Sequence, residues 1–156
     1  MLWQLFWTIV LVLLNGFFVA AEFAIVKVRS SQINGKGGIA SKRATGAAKS
    51  ILSNLDGYLA ATQLGITLAS LGLGWVGEAV MTDIVLQIMG KLGITISLAA
   101  THGISVTIAF TLITILHIVF GELAPKSLAI RKPLPTALAV AIHLRALFVI
   151  FGPFIW

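Results

Sequence analysis

One short motif in the sequence combines groups that bind metal ions in other proteins. It is GELAPK, residues 121 to 126, which follows a long apolar stretch. Pro125 has no N–H group, so the carbonyl of Gly121, four residues earlier, loses its helical hydrogen-bond donor. We therefore expect the helix to break here, with a free carbonyl beside the Glu122 carboxylate. Such oxygens are the ligands that Mg²⁺, Ca²⁺ and Na⁺ select, and broken helices hold ions in transporters.

Polar residues in two other apolar stretches are candidates to complete such a site. Asn15 and Glu22 are seven residues apart, which is two helical turns, so they share one helix face. The second stretch offers neutral oxygen acceptors, of which the last three recur at i, i+4 and i+7: Thr62, Gln63, Thr67 and Ser70. His117 precedes Glu122 by five residues, which is a poor spacing for two ligands on one α-helical face. We interpret it as a packing or interface histidine.

Each candidate also has a purely structural interpretation. Glu122 and Lys126 are spaced as an i, i+4 ion pair on the surface of a helix that ends at the membrane interface. Asn15 is a typical partner for a neighbouring helix, and Glu22 is seven residues from Arg29, with which it can pair. The hydroxyl and amide groups of the second stretch are suited to hydrogen bonds between helices. The residues alone leave both interpretations open.

The composition places these groups in a membrane. Of 156 residues, 58% are hydrophobic and 10% are charged, whereas a soluble domain has about 45–50% apolar and about 25% charged residues. This excludes a soluble enzyme, and it excludes a nucleic-acid-binding domain despite the net charge of +6. Cysteine is absent from the sequence, which excludes disulfides and thiolate metal sites. We find no Ser/His/Asp set or phosphate-binding loop and expect no enzymatic activity.

The hydropathy pattern predicts an all-α membrane domain that occupies residues 1–156. Three spanning helices are expected at about 2–26, 58–80 and 104–120, since about 20 apolar residues cross a bilayer. Residues 27–50 are expected to form a basic, flexible loop and residues 81–100 an amphipathic piece at the interface. Residues 137–152 are predicted to form an interfacial helix, because Arg145 at the centre of a span costs about 2.5–3.5 kcal/mol. Small residues spaced by four form a ridge for packing or dimerisation on the second helix, namely Ala61, Gly65 and Ala69.

The positive charges predict the orientation. Six lie in residues 27–50 and four follow the third predicted helix, whereas Lys91 is alone between the second and third helices. The positive-inside rule places the first two groups in the cytoplasm, so the N-terminus is outside and the C-terminus is cytoplasmic. We expect a multi-pass protein of the cell inner or plasma membrane, with the basic loop against anionic lipid headgroups.

Three sequence runs resemble the transmembrane domain of the CorC/CNNM family of magnesium transporters, which includes hemolysin-related bacterial members. They are NGFFVAAEFAIVKVRSSQI (15–33), LAATQLGITLASLGLGWVGE (59–78) and GELAPKSLAI (121–130). The resemblance implies a homodimer with three spanning helices per subunit and a juxtamembrane helical belt. It also implies regulatory CBS domains downstream, which this chain lacks. The chain ends on the apolar residue Trp156, and we expect it to be a piece of a longer protein.

The resemblance also implies an ion site in a polar cavity open to the cytoplasm. Its motif falls on Gly121 and Glu122, with Pro125 and Lys126 as structural residues of the site, and on polar residues of the first two helices: Asn15, Glu22, Gln63, Thr67 and Ser70. Ala21 and Ile66 stand where many relatives have serine and asparagine, so two oxygen ligands are missing. The implied function is transport of a divalent cation, Mg²⁺, by efflux or by exchange with Na⁺ as the coupling ion. The alternative is an ion-sensing membrane anchor and dimerisation module for cytoplasmic regulatory domains.

Overall fold

The computed structural model describes residues 2–35, 42–93 and 97–155, and these residues form helices without any strand. Seven α-helices and one π-helical segment follow each other along the chain: α1 (Leu2–Lys27), α2 (Ser30–Gly35), α3 (Lys42–Ser53), α4 (Leu55–Lys91), α5 (Leu98–Leu116), the π segment (His117–Leu123), α6 (Ala124–Arg131) and α7 (Pro133–Ile155). The all-α prediction is confirmed for this part of the chain.

Four helical stretches of the described residues are long and apolar enough to cross a membrane, and not three as predicted. They are Leu2–Lys27, Leu55–Lys91, Ala99–Arg131 and Pro133–Pro153. The three-span count is therefore not confirmed by length and composition. In the described part of the predicted interfacial piece at 81–100 no separate element is observed, because α4 continues without interruption to Lys91; residues 94–96 lie outside the described residues. Gly93, two residues after the end of α4, has a φ of 67°, which favours glycine.

Helices α1 and α4 pack closely and run antiparallel. Gly65 lies against the ring of Phe18, and Gly72 lies against Leu11. The small-residue ridge of α4 therefore faces α1 of the same chain, with Ala61 and Ala69 fully buried. Small side chains let two helix backbones approach in a membrane, and this approach sets the spacing between the polar groups of α1 and α4.

The basic stretch predicted as a flexible loop contains two helices, α2 and α3, in its described residues; residues 36–41 lie outside them. The amide of Arg29 donates to the side-chain oxygen of Gln32, three residues later, which satisfies a free N–H group where α2 begins. Helix α3 is amphipathic: its basic side chains are exposed, and its buried face consists of Ala44, Ala47, Ala48 and Ile51. That face packs in a core shared with α1 and α7. Burial of this alanine face explains why the segment folds despite its charge.

Helix α7 packs against α1, α3 and α4. His143 contacts Phe17 at 6.3 Å between ring centroids, and Phe151 contacts Phe18 at 6.5 Å. Phe148 stacks on Tyr58 of α4 with 4.2 Å between the ring centroids. The buried residues of the first half of α7 lie in the core shared with α1 and α3, namely Ala137, Val140, Ala141 and Leu144.

The helix is not broken at GELAPK, which corrects the prediction from the sequence. Residues Ala99–Arg131 form one continuous helical stretch, and the irregularity takes the form of the π segment. The amide of Ala124 donates to the carbonyl of Val119, five residues earlier, so the hydrogen-bond ladder skips one position before Pro125. Pro125 then stands in the first turn of α6, and its missing N–H group leaves the Gly121 carbonyl without a backbone donor four residues later.

Candidate functional site

The side chain of Asn15 is the centre of a polar network between three helical segments. It is 1% exposed, and its amide group donates to the carbonyl oxygen of Gly121 at 3.0 Å. The same amide nitrogen lies 2.9 Å from Nε2 of His117, and the hydroxyl of Ser70 donates to the Asn15 Oδ1 at 3.2 Å. The carbonyl that Pro125 frees is thus satisfied by a side chain of α1.

Two glycines allow this approach. A Cβ on Gly121 would lie 2.8 Å from Cδ2 of His117 and 3.1 Å from the Asn15 amide nitrogen. A Cβ on Gly16 would lie 2.9 Å from the Pro125 ring and 3.1 Å from the Phe120 carbonyl oxygen. Contacts this short exclude a larger residue unless a neighbour moves. The glycines therefore let the π segment pack directly on α1.

A cavity of about 200 Å³ lies beside the network. Its polar lining consists of five residues, Asn15, Glu22, Ser70, His117 and Glu122, and its apolar lining includes Val19, Phe23 and Ile66. Glu22 and His117 are half-buried and Glu122 is exposed. Two carboxylates, two neutral oxygens and one imidazole therefore face one space. In residues 2–35, 42–93 and 97–155, no three His, Asp or Glu side chains are grouped closely enough to hold a metal ion, so an ion in this cavity would also need the neutral ligands.

The structure brings most of the predicted ligands together but leaves two outside the cavity lining. Asn15, Glu22, Ser70 and Glu122 line the cavity, and the Gly121 carbonyl is next to them. Gln63 and Thr67 are exposed, and the hydroxyl of Thr67 donates to the carbonyl of Gln63 within its own helix. The side chains of Gln63 and Thr67 therefore lie on a side of α4 that does not face α1. Ile66 lines the cavity in their place, and Ala21 is buried.

Lys126 and Pro125 lie next to the site, as predicted, but Lys126 has an unexpected contact. Its ammonium group is 4.5 Å from the centre of the Phe23 ring, a cation–π contact that draws the side chain toward α1. Pro125 packs close to Gly16. Both residues therefore hold α6 against α1, and Lys126 faces an aromatic ring.

His117 is the site residue that the sequence reasoning missed. Five residues separate it from Glu122, which places the two on different faces of an α-helix but close together where hydrogen bonds run from i to i+5. The signal was the proline: Pro125 cannot donate to Gly121, which favours a change of helical register just before it. In the π segment His117 and Glu122 line the same cavity.

A second cavity, of about 230 Å³, adjoins the same network. Ser70 and His117 line both cavities, and the second extends along α4 to Gly74 and along α5 to Phe110. The first extends in the opposite direction, to Glu22 near the Lys27 end of α1. The Ser70–His117 contact, 3.4 Å long, therefore lies between two spaces that extend in opposite directions along α4.

The sequence matches known proteins over nearly its full length. The family model for the cyclin M transmembrane N-terminal domain matches residues 6–156. Three relatives from Bacillus subtilis (strain 168) are the UPF0053 proteins YhdT, 45% identical over 94% of this chain, YrkA, 44% identical over 94%, and YugS, 43% identical over 97%. The aligned regions are 31%, 33% and 35% of those proteins, so the chain spans about a third of the length of these relatives.

Proposed function

Because the chain belongs to the cyclin M (CNNM) transmembrane domain family, we propose that it transports a divalent cation, Mg²⁺, across a membrane. The observation that carries this proposal is the convergence of Asn15, Ser70, the Gly121 carbonyl and Glu122 at one cavity between helices of a multi-pass membrane protein. Polar groups inside such a bundle are costly and commonly mark an ion pathway. We propose efflux, or exchange with Na⁺ as the coupling ion.

The ligand chemistry supports a hard cation. Carboxylate, carbonyl and hydroxyl oxygens are the ligands of Mg²⁺ in proteins, and Mg²⁺ often keeps several waters. Glu122 supplies the negative charge and Glu22 adds a second carboxylate to the lining. Ala21 and Ile66 supply no oxygen, so bound waters would complete the coordination of the ion. No enzymatic step is needed for this function.

The two cavities support alternating access to the ion. The first reaches Glu22 and Glu122, the second reaches Gly74 and Phe110, and the Ser70–His117 contact lies between them. Opening that contact would join the cavities, since both residues line each of them. An ion bound near Asn15 would then change the side from which it is accessible without moving far.

The position of the charges supports the orientation and the partners. We propose that the Lys27 end of α1 faces the cytoplasm, that α7 lies at this interface, and that the exposed basic residues of α3 contact anionic headgroups. We further propose a homodimer in the inner or plasma membrane, as the family resemblance implies.

Flux through proteoliposomes tests the proposal with a matched pair of variants. Glu122→Gln removes the charged ligand, whereas Glu78→Gln removes a carboxylate from α4 at a position that does not line either cavity. A charge-assisted contact contributes about 1.5–3 kcal/mol, so we expect Mg²⁺ affinity and flux at limiting Mg²⁺ to fall about 10–100-fold in Glu122→Gln. Glu78→Gln should keep the flux of the unmodified chain. Equal flux in all three proteins would contradict the assignment of Glu122.

One observation favours a second candidate function. The chain spans only about a third of the length of its relatives, so about two thirds of each of those proteins lies outside the aligned region. On this alternative the domain is an ion-sensing anchor that binds the cation and positions regulatory domains. Tracer measurements separate the two functions, because an anchor shows Mg²⁺ binding that depends on Glu122 but no Mg²⁺ flux.

A further inference from the structure

The hydrogen bonds around Asn15 fix the chemical role of His117. A carbonyl oxygen only accepts, so the contact with Gly121 at 3.0 Å requires the amide nitrogen of Asn15 on that side. The same nitrogen is 2.9 Å from Nε2 of His117. An amide nitrogen only donates, so Nε2 must be the acceptor and the ring proton must be on Nδ1. The imidazole therefore directs a lone pair into the network.

This lone pair converges with the oxygen ligands on a single point. The Asn15 amide nitrogen is within 3.0 Å of both the Gly121 oxygen and the His117 Nε2, and Ser70 Oγ is 3.4 Å from Nε2. A donor group thus occupies the place where two acceptors meet, as a cation would. Rotation of the Asn15 amide by half a turn would replace its nitrogen with an oxygen. The acceptors would then surround a positively charged ion.

A nitrogen ligand changes the ions that such a site prefers. Mg²⁺ takes oxygen ligands, whereas imidazole binds first-row transition metals, with an affinity that rises along the series from Mn²⁺ to Cu²⁺. A set of carboxylate, carbonyl and hydroxyl oxygens with one imidazole suits an octahedral ion that accepts both atom types. Mn²⁺ meets both conditions.

We propose that His117 Nε2 is a ligand of the transported ion and extends the substrates of this site to divalent first-row transition metal ions, with Mn²⁺ as the representative ion. This inference rests on the proposed function, since it concerns the same cavity. It assigns His117 a role in ion selectivity, distinct from the charge that Glu122 supplies. A Cβ on Gly121 would lie 2.8 Å from Cδ2 of His117. Glycine at position 121 therefore leaves the space that the imidazole ring occupies.

Calorimetry on the chain in lipid nanodiscs, titrated separately with MnCl₂ and MgCl₂, tests this selectivity. His117→Gln removes the imidazole but keeps a polar side chain, and His102→Gln removes an imidazole from an exposed position on α5 as the matched control. We expect His117→Gln to weaken Mn²⁺ binding by about tenfold or more, with Mg²⁺ affinity changed by less than about threefold. His102→Gln should leave both affinities unchanged.

Pulsed EPR of bound Mn²⁺ gives a test that needs no altered protein. The unmodified chain should show the ¹⁴N modulation of a coordinated imidazole, which His102→Gln keeps and His117→Gln loses. Absence of this modulation in the unmodified chain overturns the inference, even if His117→Gln fails to fold. So does an equal loss of both ions in a folded His117→Gln, which indicates a packing role.

The outcomes also distinguish this inference from the proposed function. If Glu122→Gln abolishes Mg²⁺ binding while His117→Gln changes neither ion, the cation site stands and the nitrogen ligand is wrong. If the unmodified chain binds neither Mg²⁺ nor Mn²⁺, both proposals fail. If Mn²⁺ binds through nitrogen but Glu122→Gln has no effect, only the role of Glu122 fails.

Discussion

Replacing Gly65 by alanine tests the packing that holds the two sides of the cavity together. A Cβ at this position would lie 2.4 Å from two atoms of the Phe18 ring and 2.6 Å from a third. Carbon atoms in contact prefer about 3.5–4.0 Å, so the ring or the helix would have to move by about 1 Å. Phe18 is 2% exposed and stacks near Phe17 and Phe151, which leaves the ring little freedom. We expect α1 and α4 to separate.

The expected cost follows from this overlap. Inserting a methyl group into a packed core costs about 1–3 kcal/mol, and the gain in helix propensity from glycine to alanine returns up to about 1 kcal/mol. The separation also stretches the 3.2 Å contact between Ser70 and Asn15, which is one helical turn further along α4. Gly65→Ala should therefore lower both the free energy of unfolding and the cation affinity.

Gly74→Ala is the matched control, because it lies on the same helix and a Cβ there meets no atom within 4 Å. Unfolding in mixed detergent micelles, followed by circular dichroism, compares the two variants. Gly74→Ala should be neutral or slightly stabilising, and Phe18→Leu should recover part of the stability of Gly65→Ala. Equal stability of Gly65→Ala and Gly74→Ala would refute the close approach of α1 and α4.

Two further predictions concern the site and the topology. Gly121→Ala should weaken Mg²⁺ binding by about tenfold in calorimetry, the size typical for disturbing a metal-site support, because the added Cβ would lie 3.1 Å from the Asn15 amide nitrogen and would disturb its contact with the Gly121 carbonyl. Gly103→Ala, with open space around it, should bind normally. Because the sequence has no cysteine, single cysteines report sidedness: an impermeant maleimide should label Lys49→Cys and Pro153→Cys from the cytoplasmic side and Lys91→Cys from the opposite side. Labelling of Pro153→Cys together with Lys91→Cys would contradict an interfacial α7.

The sequence alone predicts the helix α1 and the relative positions of those polar groups that follow from regular helix geometry. Asn15 and Glu22 share a face because α1 is a regular helix, and both line the cavity. Gln63 and Thr67 were misplaced because a stripe on one helix does not reveal which neighbour it faces. Ser70, on the same stripe, reaches Asn15 through a hydrogen bond that the spacing of residues on α4 alone does not predict.

The other differences arise from tertiary contacts that hydropathy does not record. Basic residues predicted a loop at 27–50, but the alanines between them pack against α7 and stabilise α3. The spacing rule for His117 failed because it assumed 3.6 residues per turn through a segment that has a different register. Helix propensity and hydrophobic periodicity describe one helix at a time. The folding of α3 and the position of His117 depend on contacts between two helices.

The π segment also sets a rule for how this protein tolerates changes in length. In a stretch with i to i+5 hydrogen bonds, each turn that a hydrogen bond closes contains one residue more than a turn of α-helix. Deleting a single residue between His117 and Leu123 would remove the extra residue and let the ladder become a regular α-helix, while the turns on either side keep their orientation. Lys126 would then keep its contact with the ring of Phe23. A one-residue deletion elsewhere in α5 or α6 would instead turn every following side chain by about 100°, so the π segment is expected to tolerate such a deletion better than the regular helix around it.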